Sequence, residues 1–413
     1  MQDVEQAVRD SFGRLVAILA SRGRDIAAAE DALADAVVAA LRSWPDSGVP
    51  DAPEAWLVAV ARRRLADRLR KRSADVALER SLTLLTALAD ETDPMMPHYP
   101  DERLKLMFVC AHPAIDEAIR APLMLQTVLG LDAARIATAF LVPAATMGQR
   151  LVRAKAKIRD AGIPFAVPER VELPARLTSV LEAIYAAYGS GWDEVAGGDG
   201  QDGSAVAASS SLADEAIWLG RVLAALLPRE AEAQGLLALM LHCEARRPAR
   251  RSEAGRYVPL SEQDTRRWSM ATLREAEETL AHAASLKAPG RFQIEAAIQS
   301  ALASARLQGA PDARVIALLH EELWRRAPRI GVAVARAVAV ADAEGAAAGL
   351  ALLAAIDPER VAAYQPYHAA EAELLAREGR RGEALAAYAR AAALSSDPAI
   401  AAFLEDRRRQ LIS

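Results

Sequence analysis

Cysteine is nearly absent: among 413 residues only Cys110 and Cys243 carry a thiol, and they form no CxxC pair. That speaks against a disulfide framework and fits a reduced compartment. Aromatic residues make up only 5% of the chain. Strands favour aromatic and β-branched side chains, so an all-β fold is disfavoured. Long apolar runs are missing too. The stretch Val332–Val340 is broken by Arg336 and is too short to span a bilayer. The opening MQDVEQAVRD is acidic and amphipathic, unlike the basic and then apolar start of an export signal. The expectation is a cytoplasmic protein that engages no membrane.

Neither sign of charge dominates, with 50 basic and 55 acidic residues and a net charge of −5. Global charge therefore gives no sign of a nucleic-acid partner. Its distribution does. Residues 62–72 (RRRLADRLRKR) hold seven basic side chains against Asp67 alone, and residues 150–159 (RLVRAKAKIR) hold five with no acid. Two concentrated basic helices on an acidic chain can grip phosphate locally.

Nearly every segment has helical period, and no alternating strand run stands out, so the expected class is all-α. Helices are predicted over about 4–21, 25–44 and 53–72, with SWPDSGVPDAP as the break before the third. Residues 1–73 form a first block and 74–101 a linker that begins as helix (Val76–Leu88). Residues 102–162 form a second helical domain and 163–211 a connector ending in AGGDGQDGSAVAASSS, the most flexible stretch expected. From 212 to 413 the chain reads as a helical repeat domain. Gly345 and Gly379 are 34 residues apart, and AEAELLAREGRRGEALAAYARAAAL resembles a tetratricopeptide unit, with Ala372, Gly379, Ala384 and Ala391 spaced beside Leu375 and Tyr388 for close helix packing.

The most informative segment is 121–160. Gly130 ends one helix, Asp132 can cap the next over Ala133–Phe140, and Pro143 opens a third. Met147, Leu151, Ala154 and Ile158 form its buried stripe, leaving Thr146, Gln149, Arg150, Arg153, Lys155 and Lys157 on the opposite side. Two helices and a tight turn, the second basic and polar outside, make a helix-turn-helix. Such a helix offers hydrogen-bonding groups to base edges and cations to phosphates. In the basic run Trp56, Leu57, Val60, Leu65 and Leu69 form an inward stripe, while Arg62, Arg63, Arg64, Arg68, Arg70 and Lys71 mostly fall outside it.

The segment 121–160 resembles region 4 of an extracytoplasmic-function (group 4, sigma-70 family) sigma factor of bacterial RNA polymerase, and residues 8–72 resemble region 2. The resemblance implies that AAAEDALADAVVAALRSW (27–44) docks on the polymerase clamp through Glu30, Asp31, Asp35, Val38 and Leu41. It implies that AWLVAVARRRLADRLRKR (55–72) opens and reads the −10 element and that the helix-turn-helix reads the −35 element. The long extension is similar to that of a subgroup with a C-terminal tetratricopeptide-like domain. Arg63 stands where the family usually has Asn, and Ala34 where it usually has Gln. The expected partners are core RNA polymerase, promoter DNA and a regulatory protein on the repeats. The rival reading is a stand-alone helix-turn-helix regulator with a repeat sensor or scaffold domain.

No cofactor and no enzymatic activity are expected. Cys110 and His112, like His242 and Cys243, lack further ligands at zinc-like spacing. Gly197–Gly203 lacks the Lys-Ser/Thr of a phosphate loop, and no nucleophile sits in an elbow motif.

Overall fold

The computed structural model describes residues 2–73, 102–140, 142–169, 171–192, 212–309 and 312–412. The chain divides into two compact units, residues 1–219 and 220–413. Both are helical. The sole β feature among the described residues is an isolated antiparallel bridge between Arg251 and Tyr257. No described helix is long and apolar enough to cross a membrane.

The first unit opens with α1 (Gln2–Gly23), α2 (Ile26–Ser47) and α3 (Pro53–Ser73). The Asp25 side chain accepts the Ala28 N–H at 3.0 Å and starts α2. That helix runs three residues past the expected stop at Trp44, with Pro45 inside its last turn. Trp44 packs edge-on to Trp56 at 5.4 Å between ring centres. Ser11 and Arg14 of α1 both donate to Glu54 at the head of α3.

Next come α4 (Arg103–Cys110), α5 (Glu117–Leu129), α6 (Ala133–Ala139) and α7 (Ala144–Asp160). Gly130 takes a left-handed φ of 72° and ends α5, and Asp132 accepts the Arg135 N–H at 2.8 Å to start α6. The two expected N-terminal domains are packed on each other. Gly13 of α1 lies so close to α5 that a Cβ there would stand 1.9 Å from the Val128 carbonyl oxygen. Only glycine admits that approach.

The expected connector contains a twenty-residue helix, α8 (Leu173–Trp192). It buries Leu177, Val180, Leu181, Ile184 and Tyr188, and its Arg176 donates to the Phe108 carbonyl at 2.8 Å. Prolines at 164, 168 and 174 suggested irregular chain, but Pro174 sits in the first turn, where no intrahelical N–H is needed. The flexible stretch expected at 197–211 and the helix expected at Val76–Leu88 lie outside the described residues.

Helix α9 (Leu212–Leu226) follows. Within the first unit its Trp218 stacks under the Arg103 guanidinium at 5.2 Å, and Glu215 lies 3.9 Å from Arg135.

The second unit comprises α10 (Ala231–Arg246), α11 (Met270–Ser285), α12 (Arg291–Gln308), α13 (Ala313–Arg326), α14 (Ile330–Glu344), α15 (Ala346–Ala354), α16 (Pro358–Val361), α17 (Gln365–Arg377), α18 (Arg381–Leu394) and α19 (Pro398–Ile412). Helices adjacent in sequence mostly pack on one another. Gly345 and Gly379, singled out for their spacing, each follow a helix with positive φ, as does Gly309. Ala372, Leu375, Ala384, Tyr388 and Ala391 form one core between α17 and α18, joined by Leu404.

A strictly linear stack would leave its last helix touching only its neighbour. Here α19 returns to the loop that follows α10. Arg251 pairs with Asp397, Arg407 pairs with Glu262, and Phe403 packs edge-on to Tyr257 at 5.4 Å.

Candidate nucleic-acid interface

Helix α3 holds the first basic run. Leu57, Val58 and Ala61 are its buried residues, with Val60 and Leu65 half-buried. Arg63 and Arg64 are exposed and Arg62 is half-buried. The side chains of Leu69, Arg68, Arg70 and Lys71 lie outside the described residues.

Helix α7 buries Met147, Leu151, Ala154 and Ile158, the stripe that the sequence spacing predicts. Its cations separate onto two flanks. Arg150, Arg153 and Lys157 are exposed or line a cavity of about 330 Å³ beside the start of α5, with Ile115, Asp116 and Ile119 opposite. Gln149 is exposed and Thr146 half-buried.

Lys155 departs from the expectation. Its side chain, only 10% exposed, donates to the Glu30 carboxylate of α2. Arg159 follows on the same flank, 4.0 Å from Asp25. The reason is angular: at 3.6 residues per turn, position 155 falls beside the buried stripe on the side facing α2. Burial holds the Glu30 carboxyl above its ordinary value of 4.5, and the Lys155 charge offsets part of that rise.

Glu30 is accordingly not on the open side of α2. Asp31, Ala34, Val38 and Leu41 share an exposed stripe at i, i+3, i+7 and i+10, with Asp35 half-buried beside it. Val38 is 46% and Leu41 43% exposed, an apolar pair open to a partner.

No group of three or more His, Cys, Asp or Glu among the described residues could hold a metal. Cys110 is buried against the Thr127 hydroxyl at 3.2 Å, and burial pushes its thiol up to about 12. His112 accepts the Ala114 N–H at 3.1 Å in a local turn. His242 is fully buried, which lowers its pKa to about 4 and keeps the ring neutral near pH 7.

The Glu30–Lys155 pair, the Gly13–Val128 approach and the exposure of Val152 on α7 were not read from the sequence. The first two join residues more than a hundred positions apart, which periodicity within one helix cannot reveal. Val152 could have been found by its angle on the helix, well away from the centre of the stripe that Met147, Leu151, Ala154 and Ile158 form.

Comparison with known proteins bears on these helices. The family model Sigma-70 region 2 matches residues 8–74, which covers most of α1 and all of α2 and α3. A family of unknown function, DUF6596, matches residues 176–284. The chain is 39% identical over 387 residues to an uncharacterized protein, R00370, of Rhizobium meliloti (strain 1021), covering 92% of this chain and 89% of that protein. No solved structure matches it.

Proposed function

The chain belongs to one family with the Rhizobium meliloti protein and is of sigma-70 type by its region 2, and from that premise we propose an alternative sigma factor of the extracytoplasmic-function kind. It binds core RNA polymerase and directs promoter-specific initiation in the cytoplasm, and it has no catalytic chemistry of its own. The observation that carries this reading is the presence of two separate basic helices, α3 and α7, in one chain whose first 74 residues match region 2 from position 8. A lone regulator needs only one DNA-binding block.

In this reading the exposed stripe Asp31, Val38 and Leu41, with Asp35, docks on the polymerase clamp. Apolar side chains suit the centre of such a contact, where charged residues are depleted. Arg62, Arg63, Arg64, Arg68, Arg70 and Lys71 neutralise backbone phosphate while −10 bases are captured singly. Thr146, Gln149, Arg150, Arg153 and Lys157 serve the −35 element. The helical pairs of 220–413 form a tetratricopeptide-like regulatory domain that receives a protein partner and modulates output.

Transcription in vitro with purified core polymerase tests the proposal. Promoter-dependent transcripts are expected without any other sigma factor. Their absence, with DNA binding retained, would favour the stand-alone regulator.

A further inference from the structure

Between the two cation flanks of α7 lies a third strip. Opposite the buried stripe stand Ala145, Gln149, Val152 and Ala156, three apolar side chains and one amide. Val152 is 67% exposed, whereas Met147, Leu151 and Ile158, the other large apolar residues of the helix, are buried. Gly148, one turn earlier, offers no side chain, and a Cβ there would meet nothing within 4 Å. The valine methyls therefore stand clear of the helix surface with Gln149 on one side and a bare backbone on the other.

Helix formation does not explain this residue. Valine is β-branched and a poorer helix former than the Gln, Arg and Lys around it, and it buries nothing here. A solvated face would be served better by any of those neighbours. A reading face would not. In the major groove thymine alone presents a C5-methyl group, and apolar side chains are its complement. Cations to the side of the apolar strip meet phosphates and set the register. Arg150, Arg153 and Lys157 occupy that place.

We infer that Val152 is a specificity-determining residue that packs on the C5-methyl group of a thymine in the upstream promoter element. The inference rests on the reading of α7 as the −35 recognition helix. It assigns to the site a T·A base pair, with the thymine methyl held over Val152 and the adjoining pair facing Gln149.

The test uses the full chain bound to core polymerase and a promoter duplex selected by that complex from a pool randomised upstream. Each thymine of the protected upstream element is replaced singly by deoxyuridine, which removes one methyl group and no hydrogen-bonding group. At one position the wild-type complex is expected to bind about fourfold more weakly, the worth of one buried methyl. V152A should bind the thymine and uracil duplexes equally, near the wild-type uracil level, with a melting temperature no lower than the wild type's, because the side chain is exposed and alanine is the better helix former. Full thymine preference retained by V152A at that position would overturn the inference. So would a wild-type complex that protects the upstream element yet ignores every uracil. Failure of the complex to select any promoter would instead remove the proposed function, and this inference with it.

Discussion

The Lys155 ammonium group on α7 and the Glu30 carboxylate on α2 form one ion pair, with side chains only 10% and 20% exposed. It ties the helix-turn-helix to the helix that carries the apolar pair Val38 and Leu41. In this arrangement Lys155 is occupied by protein, while Arg153 and Lys157 remain open.

Breaking such a pair from one side leaves a poorly solvated charge. Lys155→Met alone should therefore destabilise the first unit by roughly 2–4 kcal/mol, and the double change with Glu30→Leu should recover most of that. Urea unfolding of the four proteins in the cycle gives the coupling. Additive losses would mean that the pair contributes nothing.

The same carboxylate has a pH signature. Its pKa is raised in the folded protein, so the native state binds the proton more tightly than the unfolded chain. Wild-type stability relative to Glu30→Gln should therefore rise as pH falls through the raised value toward 4.5. Denaturant midpoints across that window measure it, and a constant difference between the two proteins would contradict the burial of Glu30.

Gly13→Ala places a methyl group 1.9 Å from the Val128 carbonyl oxygen, a backbone atom that cannot swing aside. The expected cost is about 1–3 kcal/mol or more, read as a lowered urea midpoint. An unchanged midpoint would show that α1 and α5 do not approach in solution as described.

Arg150→Ala and Arg153→Ala should each weaken promoter binding and lower its logarithmic salt slope by about 0.9. Lys155→Ala should leave the slope nearly unchanged so long as Glu30 holds that flank. An equal slope change for Lys155 and Arg153 would place both cations on phosphate and undo the division of α7 into flanks.

Removal of the repeat half should reduce promoter-dependent transcription, and the position of the cut matters. A chain ending at Ser211 loses Glu215 and Trp218, the partners of Arg135 and Arg103. It should melt below a chain ending at Leu226, by at least about 1 kcal/mol. Undiminished transcription from the longer truncation would disconnect residues 227–413 from initiation.

What the sequence made legible was local. Met147, Leu151, Ala154 and Ile158 announce their stripe by spacing; Asp132 marks a helix start through its side-chain carboxylate, and Gly130 and Gly379 mark helix ends through their left-handed backbone. The match at 8–74 agrees with the region read from residues 8–72. Long-range pairing left no such mark. The charge of Lys155 groups it with the outward cations, and only the position of Glu30 shows why it turns inward. Helix α8 is hidden in the sequence by its flanking prolines, although Leu177, Val180, Leu181 and Ile184 keep a helical apolar spacing.

The return of α19 to the loop after α10 also governs how this half of the protein comes into being. Arg251 and Asp397 are separated by 146 residues. During synthesis the Arg251–Tyr257 bridge region therefore emerges and waits, its ring and guanidinium groups unmatched, until α19 leaves the ribosome. Such a long-range closure slows folding, because chain entropy is lost before the contact repays it. It also makes the late-arriving α19 a latch: the preceding helical pairs can form in order, but the ring of contacts is sealed only once α19 is in place.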